Sequence, residues 1–286
     1  MNTQKLFQNQ FENNFKTFLL MAISFAVIGL LGYFISIRTG NFAIMYGFLL
    51  LGIIQNIIGY WFSGSIAIKF SGAIKTDDIR LKTMIENLSK KAGILTPEIY
   101  IIEDNNMNAF ATGRNQANAK VAVTRGLMNK LNDEELEGVI AHELAHIGNK
   151  DILISSVVAI MAGIITHMIY IFSTTRSDNK NSSGIVGILT MLLAPFAGLL
   201  IQMAVSRSRE FQADATAAHI VGNPNGLISA LQKIHENNVE PMIHADEATA
   251  HMYIANPFGN IKNIGGLFMT HPAVEDRVEK LKSLVL

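Results

Sequence analysis

Two histidines four positions apart, with a glutamate directly after the first, stand in an otherwise apolar stretch: His142, Glu143 and His146 in "VIAHELAHIGNK", 139–150. Residues i and i+4 of a helix share a face with Cβ atoms about 6 Å apart. Two imidazoles at that spacing can close on one metal ion at about 2.0–2.1 Å per nitrogen. Glu143 is turned about 100° away along the helix surface, beside the ion rather than on it. From there it can take a proton from a water held at the ion and later pass it to a leaving amine. A chance match is the competing reading, and a real site requires a third protein ligand elsewhere.

The chain contains no cysteine, so any zinc site must be built from histidines and carboxylates. "SRSREFQADATAAH", 206–219, places Glu210 and Asp214 one turn apart. Glu210 can supply the third ligand, and Asp214 can accept the N–H of a ligating imidazole and so fix its tautomer. Taken alone, the stretch reads rather as a charged amphipathic turn capping a membrane helix. Beside the H-E-x-x-H arrangement of zinc peptidases, it completes a His2Glu set for one zinc per chain, with the fourth position left to water.

The metal pair needs a helix, and "NDEELEGVIAHELAHIGNKD" predicts one. Asn132 is its N-cap, Glu135 fills the capping-box position, and Asp133 and Glu134 suit the first turn. Leu136, Val139, Ile140, Leu144 and Ile147 form its buried stripe. Upstream, "DDIRLKTMIENLSKKAGI" has helical spacing and ends at Gly93. "PEIYIIED" reads as a strand, and "NAFATG" and "AKVAVTRGL" as short extended segments, expected to be antiparallel. Residues 244–268 have the composition of a long mobile loop. His167 reads as a bundle-facing polar residue, and His219, His235, His244 and His251 as surface or packing residues.

The chain of 286 residues is formally neutral, 49% hydrophobic and only 16% charged. Neutrality and the lack of a basic, aromatic-interleaved stripe argue against nucleic acid as a partner. The apolar residues gather into four blocks, 17–37, 42–68, 152–175 and 184–206. Each reaches the roughly 20 residues needed to cross a bilayer; the alternative is a buried core helix. The first block is too long for a cleavable signal and lacks a cleavage site, so it reads as a retained anchor. The expected organisation is a transmembrane hairpin (1–68), a first catalytic part (69–151), a second hairpin (152–206) and a second catalytic part (207–286). The distribution of Lys and Arg puts both catalytic parts on the cytoplasmic side. Both metal-bearing helices adjoin a block, so the zinc is expected within about 10 Å of the membrane surface.

"HELAH" followed by "SRSREFQAD", with four apolar segments around them, resembles the HtpX group of membrane zinc metallopeptidases, relatives of the CAAX prenyl endopeptidases. The likeness covers essentially the whole chain. It implies a mainly α integral membrane protein: four transmembrane helices and a small α+β zincin-like (gluzincin) catalytic domain. It also implies a multi-pass protein of the bacterial inner membrane that cuts damaged or misassembled membrane proteins at the cytoplasmic face. The group's metal ligands carry over to His142, His146 and Glu210, and its general base to Glu143.

Two further motifs match. "NNMNAFATG" implies that Asn108, Ala109, Phe110 and Ala111 form an edge strand able to bind extended substrate through main-chain hydrogen bonds; an interior strand is the alternative. "THPAVEDRVEKL", 270–281, matches a His-Pro and a later Arg on a helix, with Ala273 where a second proline often stands. Pro272 suits the first helical position. His271 can stabilise the oxyanion, or His271 and Arg277 tie the tail to the domain. Prenyl-protein processing and a non-catalytic membrane zinc-binding role are the rival functions.

Overall fold

The computed structural model describes residues 3–174, 206–238, 240–246, 248–259 and 272–284. Residues 184–205 of block four and His271 lie outside the described residues. Helices α1 (Thr3–Thr39) and α2 (Ala43–Phe70) form a hairpin, turned by Gly40 at φ 69°. Within them, Glu12–Thr39 and Ala43–Phe70 are each 28 residues long and apolar enough to cross a membrane. Glycines let them approach: a Cβ on Gly32 would stand 2.5 Å from Phe48 Cβ. Gln55 Nε2 donates to Ser24 Oγ at 3.1 Å between the two helices. Phe18, Phe34, Tyr46, Leu50, Trp61 and Phe62 point outward and are exposed, as lipid-facing side chains would be.

After strand β1 (Ile74–Lys75) comes helix α3 (Ile79–Ala92), capped by the Asp78 side chain and closed by Gly93 at φ 67°. Strands β2 (Glu98–Ile102), β3 (Ala109–Thr112) and β4 (Lys120–Thr124) complete one sheet in the order β1-β2-β4-β3. β3 and β4 pair antiparallel, as expected for a hairpin, whereas β2 and β4 run parallel because the β3 excursion returns the chain beside β2.

Helix α4 (Arg125–Lys130) leads to α5 (Asp133–Gly148), which bears the H-E-x-x-H residues. Its capping box forms: Asn132 Oδ1 accepts from Glu135 N at 2.9 Å, and Glu135 Oε2 accepts from Asn132 N at 3.0 Å. Helix α6 (Asp151–Thr174) follows at a bend of 87°. The bend passes through Lys150, whose φ of 60° is unusual for a residue with a side chain. Ile154, Val157, Val158, Met161 and Ile165 of α6 pack on Leu20 and Leu31 of α1.

Helices α7 (Arg207–Val221), α8 (Asn225–Asn237) and α9 (Val274–Lys282) complete the described chain. One apolar core draws on both polar stretches: Leu81, Ile85, Val121, Val123, Leu136 and Ile140 from the first, Ala217, Leu227, Leu231 and Leu281 from the second. Glu135 ties α8 to α5, accepting from Ser229 at 2.6 Å and from Lys233 at 2.7 Å. The segment read as a mobile loop is partly folded: Ala248, Tyr253 and Ile254 are buried and Ala250–Met252 form a 3-10 turn. Among its described residues, Ala248 and Ala250 are small enough to pack closely.

Candidate functional site

The helical period brings His142 and His146 to one face of α5, with their Nε2 atoms 3.2 Å apart. Across from them stands Glu210, in the first turn of α7. α7 can lie close because Ala213, Ala217 and Ala218 face inward and are buried. Glu210 Oε2 is 3.8 Å from His142 Nε2, and Oε1 is 3.6 Å from His146 Nε2. Two donors about 2.05 Å from one tetrahedral ion stand roughly 3.3 Å apart. One ligand atom from each residue lies within 4.8 Å of the other two, so the set fits a metal ion.

The imidazole tautomers support that fit. His142 Nδ1 lies 2.9 Å from Asp214 Oδ1, and His146 Nδ1 lies 3.0 Å from Asp151 Oδ2. Each carboxylate accepts the Nδ1–H, so the neutral form of each ring keeps its Nε2 lone pair for an ion beside Glu210. Asp214 stands where the i+4 spacing from Glu210 places it. Asp151 has no such signal: it follows His146 by five residues across a bend and in the sequence is only the last residue before an apolar block. Arg277 of α9 is fully buried, pairs with Asp214 at 2.6 Å, and reaches Glu210 Oε2 at 4.0 Å. It therefore reaches the site through Asp214 rather than merely tying down the tail.

Burial and charge set the protonation states. Burial pushes His142 down to about 4, against the pull of Asp214. Burial also works against a charged His146, but the Asp151 hydrogen bond and the Glu210 carboxylate outweigh it and raise this ring to about 9. For Asp214, burial is overcome by Arg277 and the carboxyl falls to about 2. The Glu143 carboxyl is lifted by burial to about 7, although the Ala111 backbone hydrogen-bonds it. A carboxyl poised near neutrality can both accept and return a proton.

A cavity of ≈ 30 Å³ sits among these groups, lined by Ala111, His142, Glu143, His146, Glu210 and His251, among others. That is room for about one water or one ion. His251, read from sequence as a surface or packing residue, is buried here and bonds the Ser155 carbonyl at 3.1 Å. Asn108, Ala109, Phe110 and Ala111 lie on and beside edge strand β3, all buried. The edge is not open along its whole length. Ile254 N donates to Ala109 O at 2.9 Å, Phe110 bridges to Tyr253, and Asn108 Nδ2 donates to Ala255 O at 2.9 Å. Ala111 is the strand residue that faces the cavity.

With this geometry in hand, comparison with known proteins is informative. The sequence model described as "Peptidase family M48" matches residues 75–285. A "Protease HtpX homolog" of Caldanaerobacter subterraneus subsp. tengcongensis is 39% identical, covering 100% of both chains. One of Thermococcus kodakarensis is 42% identical over 94% of this chain and 95% of its own. "Protease HtpX" of Legionella pneumophila is 40% identical over 95% of this chain and 99% of its own. Among solved structures, the crystal structure of S. mikatae Ste24p matches with a TM-score of 0.51 at 19% identity, covering 97% of this chain and 66% of that one; it speaks to the fold alone. Residues 75–285 with the His142, His146 and Glu210 cluster, and HtpX-type relatives along the whole chain, place it plainly: it belongs to peptidase family M48 and is a metallopeptidase of the HtpX type.

Proposed function

We propose that this chain is a zinc-dependent endopeptidase that cleaves damaged or misfolded membrane proteins at the cytoplasmic face of the bacterial inner membrane. The observation that carries the reading is the His2Glu donor set shared by α5 and α7, with Glu143 beside it, one bend away from an apolar helix packed on α1. His142, His146 and Glu210 would hold the ion. Zinc, when bound, polarises the scissile carbonyl and makes a water acidic enough to yield a proton near neutral pH.

Glu143 takes that proton and returns it to the departing amine, a dual task suited to a carboxyl lifted by burial to about 7. Asp214 and Asp151 hold the two rings in the ligating tautomer, and Arg277 holds Asp214. The Ala111 main chain, facing the cavity at the end of β3, would align an extended substrate. His271 remains a candidate for oxyanion stabilisation. The concentration of Lys and Arg beside the hairpin and on the polar stretches supports a cytoplasmic orientation.

The test is Glu143→Gln in full-length protein reconstituted in lipid. The expected result is one zinc per chain, as in wild type, with cleavage of an unfolded membrane substrate reduced at least 10²-fold. Wild-type cleavage by this variant would remove Glu143 from the chemistry. Substrate choice is tested in parallel: membrane proteins with disordered juxtamembrane segments should be cut, and equal turnover of a prenylated peptide would favour the processing role instead.

A further inference from the structure

The sequence leaves one polar residue of the first membrane helix unexplained. Asn13, at the N-terminal start of the apolar span Glu12–Thr39, is only 5% exposed. Its Nδ2 donates to Asp151 Oδ1 at 2.7 Å, across 138 residues of chain. The other oxygen of that carboxylate is the one 3.0 Å from His146 Nδ1. Asn13 Oδ1 in turn accepts from Arg209 Nη1 at 3.3 Å, and Arg209 directly precedes Glu210.

One carboxamide therefore touches Arg209 on α7, the helix that carries Glu210, and Asp151 at the start of α6, whose carboxylate holds His146 of α5. An amide suits the position because it donates and accepts at once. An aspartate there would set two carboxylates against each other, and an apolar residue would leave buried Asp151 one partner short. The family match begins at residue 75, so α1 lies outside the region that defines the peptidase.

We propose that Asn13 is a positioning residue of the metal site, through which the docked first membrane helix orients Asp151, and hence His146, and steadies the start of the Glu210 helix. On this account α1 is a structural part of the site as well as an anchor. The inference rests on the reading of His142, His146 and Glu210 as the ligand set. Groups that orient ligating imidazoles are typically worth 10–100-fold in metal affinity, and Asn13 acts one bond further out.

The experiment measures zinc affinity by chelator competition on the full chain in lipid nanodiscs, for wild type, Asn13→Ala, Asp151→Ala and the double variant, with kcat and KM on a peptide substrate. Asn13→Ala is expected to weaken zinc binding about tenfold and to lower kcat at limiting zinc. KM should stay unchanged, and excess zinc should restore turnover. The double variant should lose less zinc affinity than the two single losses combined, because the Asp151 route is common to both substitutions and only the Arg209 contact is separate. Asn13→Ser, which keeps a hydrogen-bonding group, serves where the alanine variant does not fold, and should fall between. Zinc affinity within twofold of wild type in Asn13→Ala, with only thermal stability lowered, would reduce Asn13 to a packing residue and overturn the proposal. A wild-type chain that binds no zinc would instead overturn the ligand-set reading beneath it.

Discussion

Glu143 carries its pKa shift as a stability signature as well as a catalytic one. Burial raises its carboxyl to about 7, so the folded metal-free protein holds a proton that the unfolded chain releases from about pH 4.5 upward. Stability from this group is full below that pH and is lost as the pH rises through about 7. Metal-free Glu143→Gln should therefore melt higher than metal-free wild type at pH 8, and the gap should close below pH 5 in a thermal scan. Asp214 has the opposite sign. Arg277 overcomes burial and holds it at about 2, so its contribution is full above about pH 4 and is lost as pH falls towards 2. Asp214→Asn leaves the buried Arg277 facing a neutral amide. It should cost about 3 kcal/mol at pH 7, measured by denaturant unfolding, and the difference from wild type should shrink in acid.

At the scale of elements, α5 is held by contacts that no side chain could enter. A Cβ on Gly138 would lie 2.5 Å from Leu227 N, and one on Gly226 would lie 2.2 Å from Glu134 O. Gly138→Ala should push α8 off α5 and cost about 1–3 kcal/mol. Gly148→Ala, whose Cβ meets only Ile94 at 3.7 Å, should instead stabilise the same helix by about 0.5–1 kcal/mol. Paired unfolding curves check the contrast. α5 was readable before any coordinates because its signals are local: the Asn132–Glu135 box, the apolar stripe and the His142–His146 spacing all repeat within a few residues. Glu210 was readable because the donor set demands a third ligand. The parallel pairing of β2 with β4, the burial of His251 and the Asn13–Asp151 bond join residues far apart in sequence. Periodicity carries no information about such partners. The two membrane helices were legible from composition, while residues 184–205 of the fourth apolar block lie outside the described residues.

At the scale of the whole molecule, the proposed membrane placement would set the chemistry at a fixed height. The apolar run of α1 from Thr17 to Ile37 has 21 residues, about 32 Å of helix, close to the hydrocarbon thickness of about 30 Å. Asn13 lies one turn beyond that run and is bonded to the residue behind His146, so on the proposed membrane placement this bond would hold bilayer and cleft in register. The enzyme should behave as a ruler. In model substrates with one membrane segment and an unstructured tail, inserting spacer residues after the segment should leave the cut at a constant number of residues from the lipid boundary while shifting it along the tail's own sequence. Mass spectrometry of the released fragments distinguishes this from scissile-bond choice by local side chains, under which the cut would travel with the sequence.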